Sequence, residues 1–102
     1  MIKVSAYIPT YNNEDTILET LESIRNQTHR LAQIFVIDDG SNDYTVPKVK
    51  KAGIEVIQNK INQGRGSVRA RAMEYAKYEN VLCVDAGKII EPNFLTSLYI
   101  NF

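Results

Sequence analysis

The sequence predicts a three-layer α/β/α fold built on a parallel sheet of about four strands. Three observations carry this expectation. Short apolar, β-rich stretches alternate with segments whose apolar residues recur at helical spacing, in the order β-α-β-α-β-α-β-α. Alternation at this pace implies right-handed crossovers between parallel strands, with helices on both faces. The apolar run Phe35-Val36-Ile37 also ends abruptly in Asp38-Asp39-Gly40-Ser41, as a strand buried on both faces does at its carboxyl end. A strand order of 3-2-1-4 places the first and fourth strands side by side and gathers the loops after strands one, two and four on one rim.

Taken in order, residues 2–8 alternate loosely and form the first strand. Pro9 is expected to stop its ladder, because proline has no N–H to give. The loop Pro9-Thr10-Tyr11-Asn12-Asn13 leads into Glu14-Asp15-Thr16, acids suited to a first helical turn. Ile17, Leu18, Leu21 and Ile24 then set an apolar stripe, so a helix is expected over about residues 13–27, closed by Thr28-His29-Arg30. Residues 33–37 form the second strand. Ser41 or Asp43 can cap a short helix through Val46, Val49 and Ala52. Pro47 lies early in it, where a missing N–H matters least, and Gly53 ends it. Residues 54–57 make a short third strand at the sheet edge, and residues 59–66 a polar, glycine-containing loop. Val68, Ala72, Tyr75 and Ala76 face the sheet from a third helix. Val81-Leu82-Cys83-Val84 is a fourth buried strand ending in Asp85-Ala86-Gly87, and Pro92 opens a last helix with Leu95, Leu98, Tyr99 and Phe102 on one face.

A chain of 102 residues suits a single domain, here taken as 1–102. Twelve basic and twelve acidic residues cancel, which argues against general nucleic-acid or anionic-membrane binding, where excess Lys and Arg replace counterions. Near-zero net charge gives little colloidal repulsion, so self-association is expected to be easy. Cys83 is the only cysteine, so no intramolecular disulfide and no cysteine-based zinc site can form. That suits a reducing compartment, and a cytoplasmic location is the expectation. No apolar run approaches the ~18 residues of a membrane span, and no signal-peptide pattern is visible.

The rim collects polar side chains. Thr10, Tyr11, Asn12 and Asn13 come from the first loop, Asp38 and Asp39 from the second and Asp85 from the fourth, while Arg65 and Arg69 lie one turn apart near the start of the third helix. In open α/β sheets ligands bind just beyond the carboxyl ends of the strands. An aromatic ring there can stack on a base, and a carboxylate can accept from a ring N–H. Arginines and helix-terminal amides can hold a diphosphate. An acid can reach a divalent cation that bridges phosphate oxygens. Each piece also has a plain reading. Asp38-Asp39-Gly40-Ser41 can be a turn with a helix cap, and Asp85-Ala86-Gly87 a turn. Gly64-Arg65-Gly66 is a weak dinucleotide fingerprint, because it follows the third strand. His29 reads as exposed, Cys83 as inert core, and Tyr75 and Tyr78 as packing or surface residues.

Order and spacing decide between these readings. Val4-Ser5-Ala6-Tyr7-Ile8-Pro9-Thr10-Tyr11-Asn12 is followed by Thr20-Leu21-Glu22-Ser23-Ile24-Arg25-Asn26-Gln27-Thr28, Val36-Ile37-Asp38-Asp39-Gly40-Ser41-Asn42-Asp43, Asn62-Gln63-Gly64, Val84-Asp85-Ala86-Gly87 and Pro92-Asn93-Phe94-Leu95. Over essentially its whole length the chain resembles the nucleotide-binding half of family 2 inverting glycosyltransferases, which have the Rossmann-like GT-A fold.

The resemblance implies a nucleotide-sugar site, usually for a UDP-sugar, and transfer of the sugar to an acceptor hydroxyl. Pro9, Thr10 and Tyr11 would line the base pocket, Asp39 would bind the base ring N–H, and Asp38 would support that loop. Arg69 would match the arginine of the family's glycine-x-x-x-alanine-arginine segment near the phosphates, with Val68 in place of the alanine. Asp85 would be the first acid of the Asp-x-Asp motif that holds Mn²⁺ or Mg²⁺, while Gly87 stands where the second acid belongs. Members of the family continue for at least another hundred residues or so, which supply the acceptor site and the catalytic base, and no residue here matches that base. The alternative expectation is therefore a degenerate, non-catalytic nucleotide-binding or assembly module. A phospho-receiver domain, which needs its acids after the first strand, fits poorly. With the sheet ending at the fourth strand, a homodimer or partner chain is expected to cover that edge and the last helix through Phe94, Leu98, Tyr99 and Phe102.

Overall fold

The computed structural model describes residues 2–100, and its elements follow the predicted alternation. They are β1 (Val4–Thr10), α1 (Ile17–Arg25), β2 (Gln33–Asp38), α2 (Thr45–Lys51), β3 (Glu55–Gln58), α3 (Arg65–Tyr75), β4 (Asn80–Cys83) and α4 (Phe94–Ile100). All strand pairs are parallel and the sheet order is β3-β2-β1-β4, as expected. Phe102, placed by periodicity on the last helix, lies outside the described residues.

Two apolar layers sandwich the sheet. On one face Ile17, Leu21 and Ile24 of α1 and Val49 of α2 pack on Ala6, Ile8 and Val36. On the other, Val68 and Ala72 of α3 pack on Tyr7, Phe35 and Ile37. The stripes of α1 and α3 therefore do what their spacing predicts. Leu18 is the exception, 44% exposed on the outer side of α1. Gln27 ties α4 to α1. Its side-chain amide donates to the carbonyls of Ser23 (3.2 Å) and Glu91 (2.6 Å), and its oxygen accepts from the backbone N–H of Leu95 (3.1 Å).

Pro9 does not end β1, which runs on to Thr10. The backbone explains this. The carbonyl of Tyr7 accepts from Val84 N–H and that of Thr10 from Asp39 N–H, so odd residues of β1 face β4 and even residues face β2. The nitrogen of Pro9 faces the β4 side, and the β1–β4 register stops at Tyr7 opposite Cys83. The missing donor therefore falls where no partner strand remains.

Helix α1 begins at Ile17 rather than near residue 13. Asn13 and Glu14 are held instead by the neighbouring connection. Asn13 N–H donates to Thr45 Oγ1 (2.9 Å) and Glu14 N–H to Asp43 Oδ2 (3.2 Å). The other oxygen of Asp43 accepts from the N–H and hydroxyl of Thr45, the first residue of α2. Of the two candidate caps, Asp43 serves α2, whereas Ser41 turns back toward Asp38.

Strand β4 is not buried. Its outer residues are exposed, and Cys83, expected in the core, is a free exposed thiol. Among the described residues β4 is an edge strand, with no further strand beside it. His29 is half-buried rather than exposed, with its Nε2 2.9 Å from the Ile2 carbonyl and its ring against Tyr99.

Candidate functional site

At the carboxyl ends of β1, β2 and β4 a cavity of 290 Å³ is lined by Pro9, Thr10, Tyr11, Asn13, Asp39, Arg65, Val68, Asp85 and Ala86. This is the small end of the ~300–1,000 Å³ usual for ligand pockets. The crossovers bring together residues far apart in the chain, because a parallel sheet sends every strand's carboxyl end to the same rim.

The two adjacent acids divide the work. Asp38 is 2% exposed and turned inward. Its Oδ1 accepts from Thr10 Oγ1 (3.0 Å) and Ser41 Oγ (2.5 Å), and its Oδ2 from the N–H groups of Gly40 (3.2 Å) and Ser41 (2.8 Å). It holds the loops after β1 and β2 together and does not line the cavity. Asn12, in the left-handed region at φ 52°, extends this lock. Its N–H donates to Ser41 Oγ, and its side-chain oxygen accepts from Asn42 N–H.

Asp39 lines the cavity while only 6% exposed. Its Oδ1 accepts from Asn59 Nδ2 (2.8 Å) and Gln63 N–H (2.8 Å), and its Oδ2 from Gly64 N–H (3.0 Å). Burial alone would raise its pKa. The three donors, led by Asn59, outweigh burial and hold the carboxyl below its ordinary value. A carboxylate offers about four acceptor positions, so one on Oδ2 remains for a ligand. The same bonds draw the loop between β3 and α3 over Gly40. Gly40 sits at φ +88°, and a Cβ there would lie 3.0 Å from Asn62 N and 3.1 Å from the Ile61 carbonyl carbon. Only glycine allows that crossing.

Around the mouth, Tyr11 is 46% exposed, leaving its ring free to stack. Neither the Arg65 guanidinium nor the Asp85 carboxylate is engaged in a hydrogen bond among the described residues. One cation and two carboxylates thus line the cavity, so a polar ligand would meet the guanidinium with its acceptors and the carboxylates with N–H donors or a cation.

Known proteins share this sequence pattern and fold. Residues 5–101 match the family described as Glycosyl transferase family 2. The chain belongs to that family. It is 32% identical to hyaluronan synthase of Streptococcus pyogenes over 111 aligned positions, covering 98% of this chain and 26% of that protein. It is 33% identical to the putative glycosyltransferase EpsH of Bacillus subtilis, covering 89% of this chain and 28% of that one. Among solved structures, S. aureus TarS 1-349 in complex with UDP superposes with TM-score 0.87 at 33% identity, covering 97% of this chain and 31% of TarS. Glucosyl-3-phosphoglycerate synthase of Mycobacterium tuberculosis, solved with Mn²⁺ and UDP-glucose, shares the fold at TM-score 0.80 and 23% identity. The chain thus spans about a quarter to a third of the length of these relatives.

Set against the family's pattern, Arg69 is the residue placed differently. It is exposed one turn further along α3 and does not line the cavity, whereas Arg65 does. Arg69 lies instead on the side of Tyr7. That hydroxyl is pushed up to about 12 by burial and by its hydrogen bond with Cys83, with Arg69 opposing the rise. Asn59 is the residue the sequence left unremarked inside a polar loop. No local pattern marks it, since its role comes from the pairing of β3 beside β2, which sets Asn59 next to the end of β2.

No group of three or more His, Cys, Asp or Glu able to hold a metal ion occurs among the described residues. Gly87 (φ +98°) brings no side chain, and its N–H is fixed to Thr20 Oγ1 at 2.8 Å. Asp85 is left as a single carboxylate, which suits a cation arriving on a ligand's phosphates. Among the described residues no helix is long and apolar enough to cross a membrane.

Proposed function

We propose that this chain is a nucleotide-sugar-binding domain of a glycosyltransferase that takes a UDP-sugar. The observation that carries the reading is one cavity shared by Pro9, Thr10, Tyr11, Asp39, Arg65 and Asp85 at the switch point of a family 2 sheet. Tyr11 would stack on the base, Asp39 would accept its ring N–H and Arg65 would neutralise the diphosphate. Asp38 would keep both loops in place, and Arg69 would serve the outer phosphate or the sugar. Asp85 would be the protein ligand of a Mn²⁺ or Mg²⁺ ion, whose chemistry is to neutralise diphosphate charge.

Support also comes from S. aureus TarS, solved with UDP and with UDP-GlcNAc. The sugar acceptor and the base that deprotonates it would come from outside residues 2–100. A second reading, a binding module without turnover, is favoured by Gly87, which brings no carboxylate and whose left-handed φ disfavours a side chain there.

Calorimetric titration with UDP, UDP-glucose and UDP-N-acetylglucosamine, with Mn²⁺ and with chelator, tests the reading. Micromolar to sub-millimolar binding of UDP is expected, with Mn²⁺ strengthening it only a few-fold because one carboxylate contributes. Absence of binding at millimolar ligand would sink the proposal. Release of sugar from the donor separates the enzyme from the binding module.

We also place a second copy of the chain, or a partner chain, against β4 and α4, in a cytoplasmic setting that keeps Cys83 reduced. Ile2, Asn80, Leu98 and Tyr99 line a shallow cavity of 490 Å³ there, and the end residues of β4, Asn80 and Cys83, are exposed. Unpaired strand edges favour such pairing. A strictly monomeric sedimentation profile at high protein concentration would count against it.

A further inference from the structure

We propose that Arg71 and Asn59 are positioning residues that make the base pocket selective for a ring presenting an N–H donor. The inference rests on the reading of Asp39 as the base acceptor and extends it to two residues outside the cavity lining.

Asn59 follows β3 directly and is 7% exposed. Its backbone N–H donates to the Asp38 carbonyl (2.8 Å), which fixes its main chain beside the end of β2. Its side chain spans two partners of opposite demand. Nδ2 donates to Asp39 Oδ1, and Oδ1 accepts from Arg71 Nη1. Arg71 is anchored in turn on α3 and donates to the Gln58 carbonyl (3.2 Å).

A guanidinium carries only donors, whereas an amide carries a donor end and an acceptor end. With Arg71 in place, the amide oxygen must face the guanidinium and the NH₂ must face Asp39. The flipped amide would set NH₂ against guanidinium and oxygen against carboxylate. Arg71 therefore fixes the sense of the Asn59 amide, and the amide fixes the state of Asp39. Asp39 receives three N–H donors and meets no acceptor, so it stays an ionised acceptor. Its remaining position can take the N3–H of uracil. Cytosine and adenine present a bare ring nitrogen at the matching place and are repelled.

The charged groups around Asp39 agree with this state. Arg65 and Asp85 share its cavity, Asp38 precedes it on β2 but is committed to Thr10, Gly40 and Ser41, and Arg71 lies one amide away.

The test uses the full chain with Arg71→Met, which keeps the stem and removes the donors. Arg71→Lys serves as rescue, and Asn59→Ala as a second route to the same lesion. UDP and CDP affinities are measured from pH 4 to 8. Wild type is expected to favour UDP over CDP by about 100-fold, the worth of one hydrogen bond to a charged group. In Arg71→Met and Asn59→Ala that ratio is expected to fall about ten-fold, and the acid limb of UDP binding to move to higher pH. Arg71→Lys should recover part of both.

A folded Arg71→Met or Asn59→Ala with lowered melting temperature but unchanged ratio and pH limb overturns the inference. Asp39→Asn, run alongside, separates the layers. UDP binding unchanged in Asp39→Asn removes the base reading itself. UDP binding lost there but untouched in both relay variants removes only the relay.

Discussion

Asp39→Asn is expected to weaken UDP binding by about 100-fold, the worth of a hydrogen bond to a buried charged group. The substitution keeps the shape and removes the charge. Its NH₂ would face the N–H of Gly64 or the donors from Asn59 and Gln63, leaving at least one buried donor unpaired at a cost of about 1–3 kcal/mol of stability. Stability should carry the matching pH signature. The Asp39 carboxyl is held below its ordinary 3.8 by hydrogen bonds that outweigh its burial. Its contribution is therefore fully present above that unfolded value and is lost as pH falls through the lower folded value. Thermal melts of wild type and variant should converge toward low pH and differ most near neutrality. A constant difference across the range would show that the carboxylate charge is not what stabilises the loop.

Phe35→Ala is expected to cost about 3–5 kcal/mol, a large part of the ~5–15 kcal/mol that holds a domain of this kind. Phe35 is fully buried on β2 between two rings. The Tyr7 ring stacks at 6.1 Å, and the Tyr75 ring from α3 meets it edge-on at 5.0 Å. Val68 and Ala72 of α3 close the same cluster. Helix α3 also presents Arg65 and Arg71 to the site, so its seating on Phe35 sets where both cations lie. Urea unfolding should show the midpoint shift, and the folded fraction should bind UDP more weakly. A loss under about 1 kcal/mol would mean that α3 is seated by other contacts.

Much of this was legible in the residues. Asp38-Asp39 after an apolar run mark both the strand end and the rim, the alternation of strand and helix implies a parallel sheet, and the order 3-2-1-4 expected from setting strands one and four side by side is the one observed. Periodicity placed Val68 and Ala72 on the sheet because a helix face is a local property. What escaped was long-range. Cys83 looked like core, since an apolar run does not say whether a further strand lies beside it. Arg65 and Arg69 are equivalent one turn apart on a helix, and only the folded rim shows that Arg65 is the one lining the cavity. Asn59 and Arg71 lie 12 residues apart and meet only in the folded chain. Pro9 ends only one of the two ladders of β1, and the sequence does not tell which side the missing donor faces.

That side has a consequence for the shape of the rim. The next rung between β1 and β4 would need an N–H from residue 9 to meet the carbonyl of Val84. Proline withholds it, so the zipper between β1 and the edge strand β4 halts at Tyr7 and Cys83. The segment carrying Asp85 and Ala86 then parts from Thr10 and Tyr11 instead of closing on them. The opening between these two loops is held apart by an absent hydrogen bond. Proline acts here as a spacer for the neighbouring strand rather than a stop for its own.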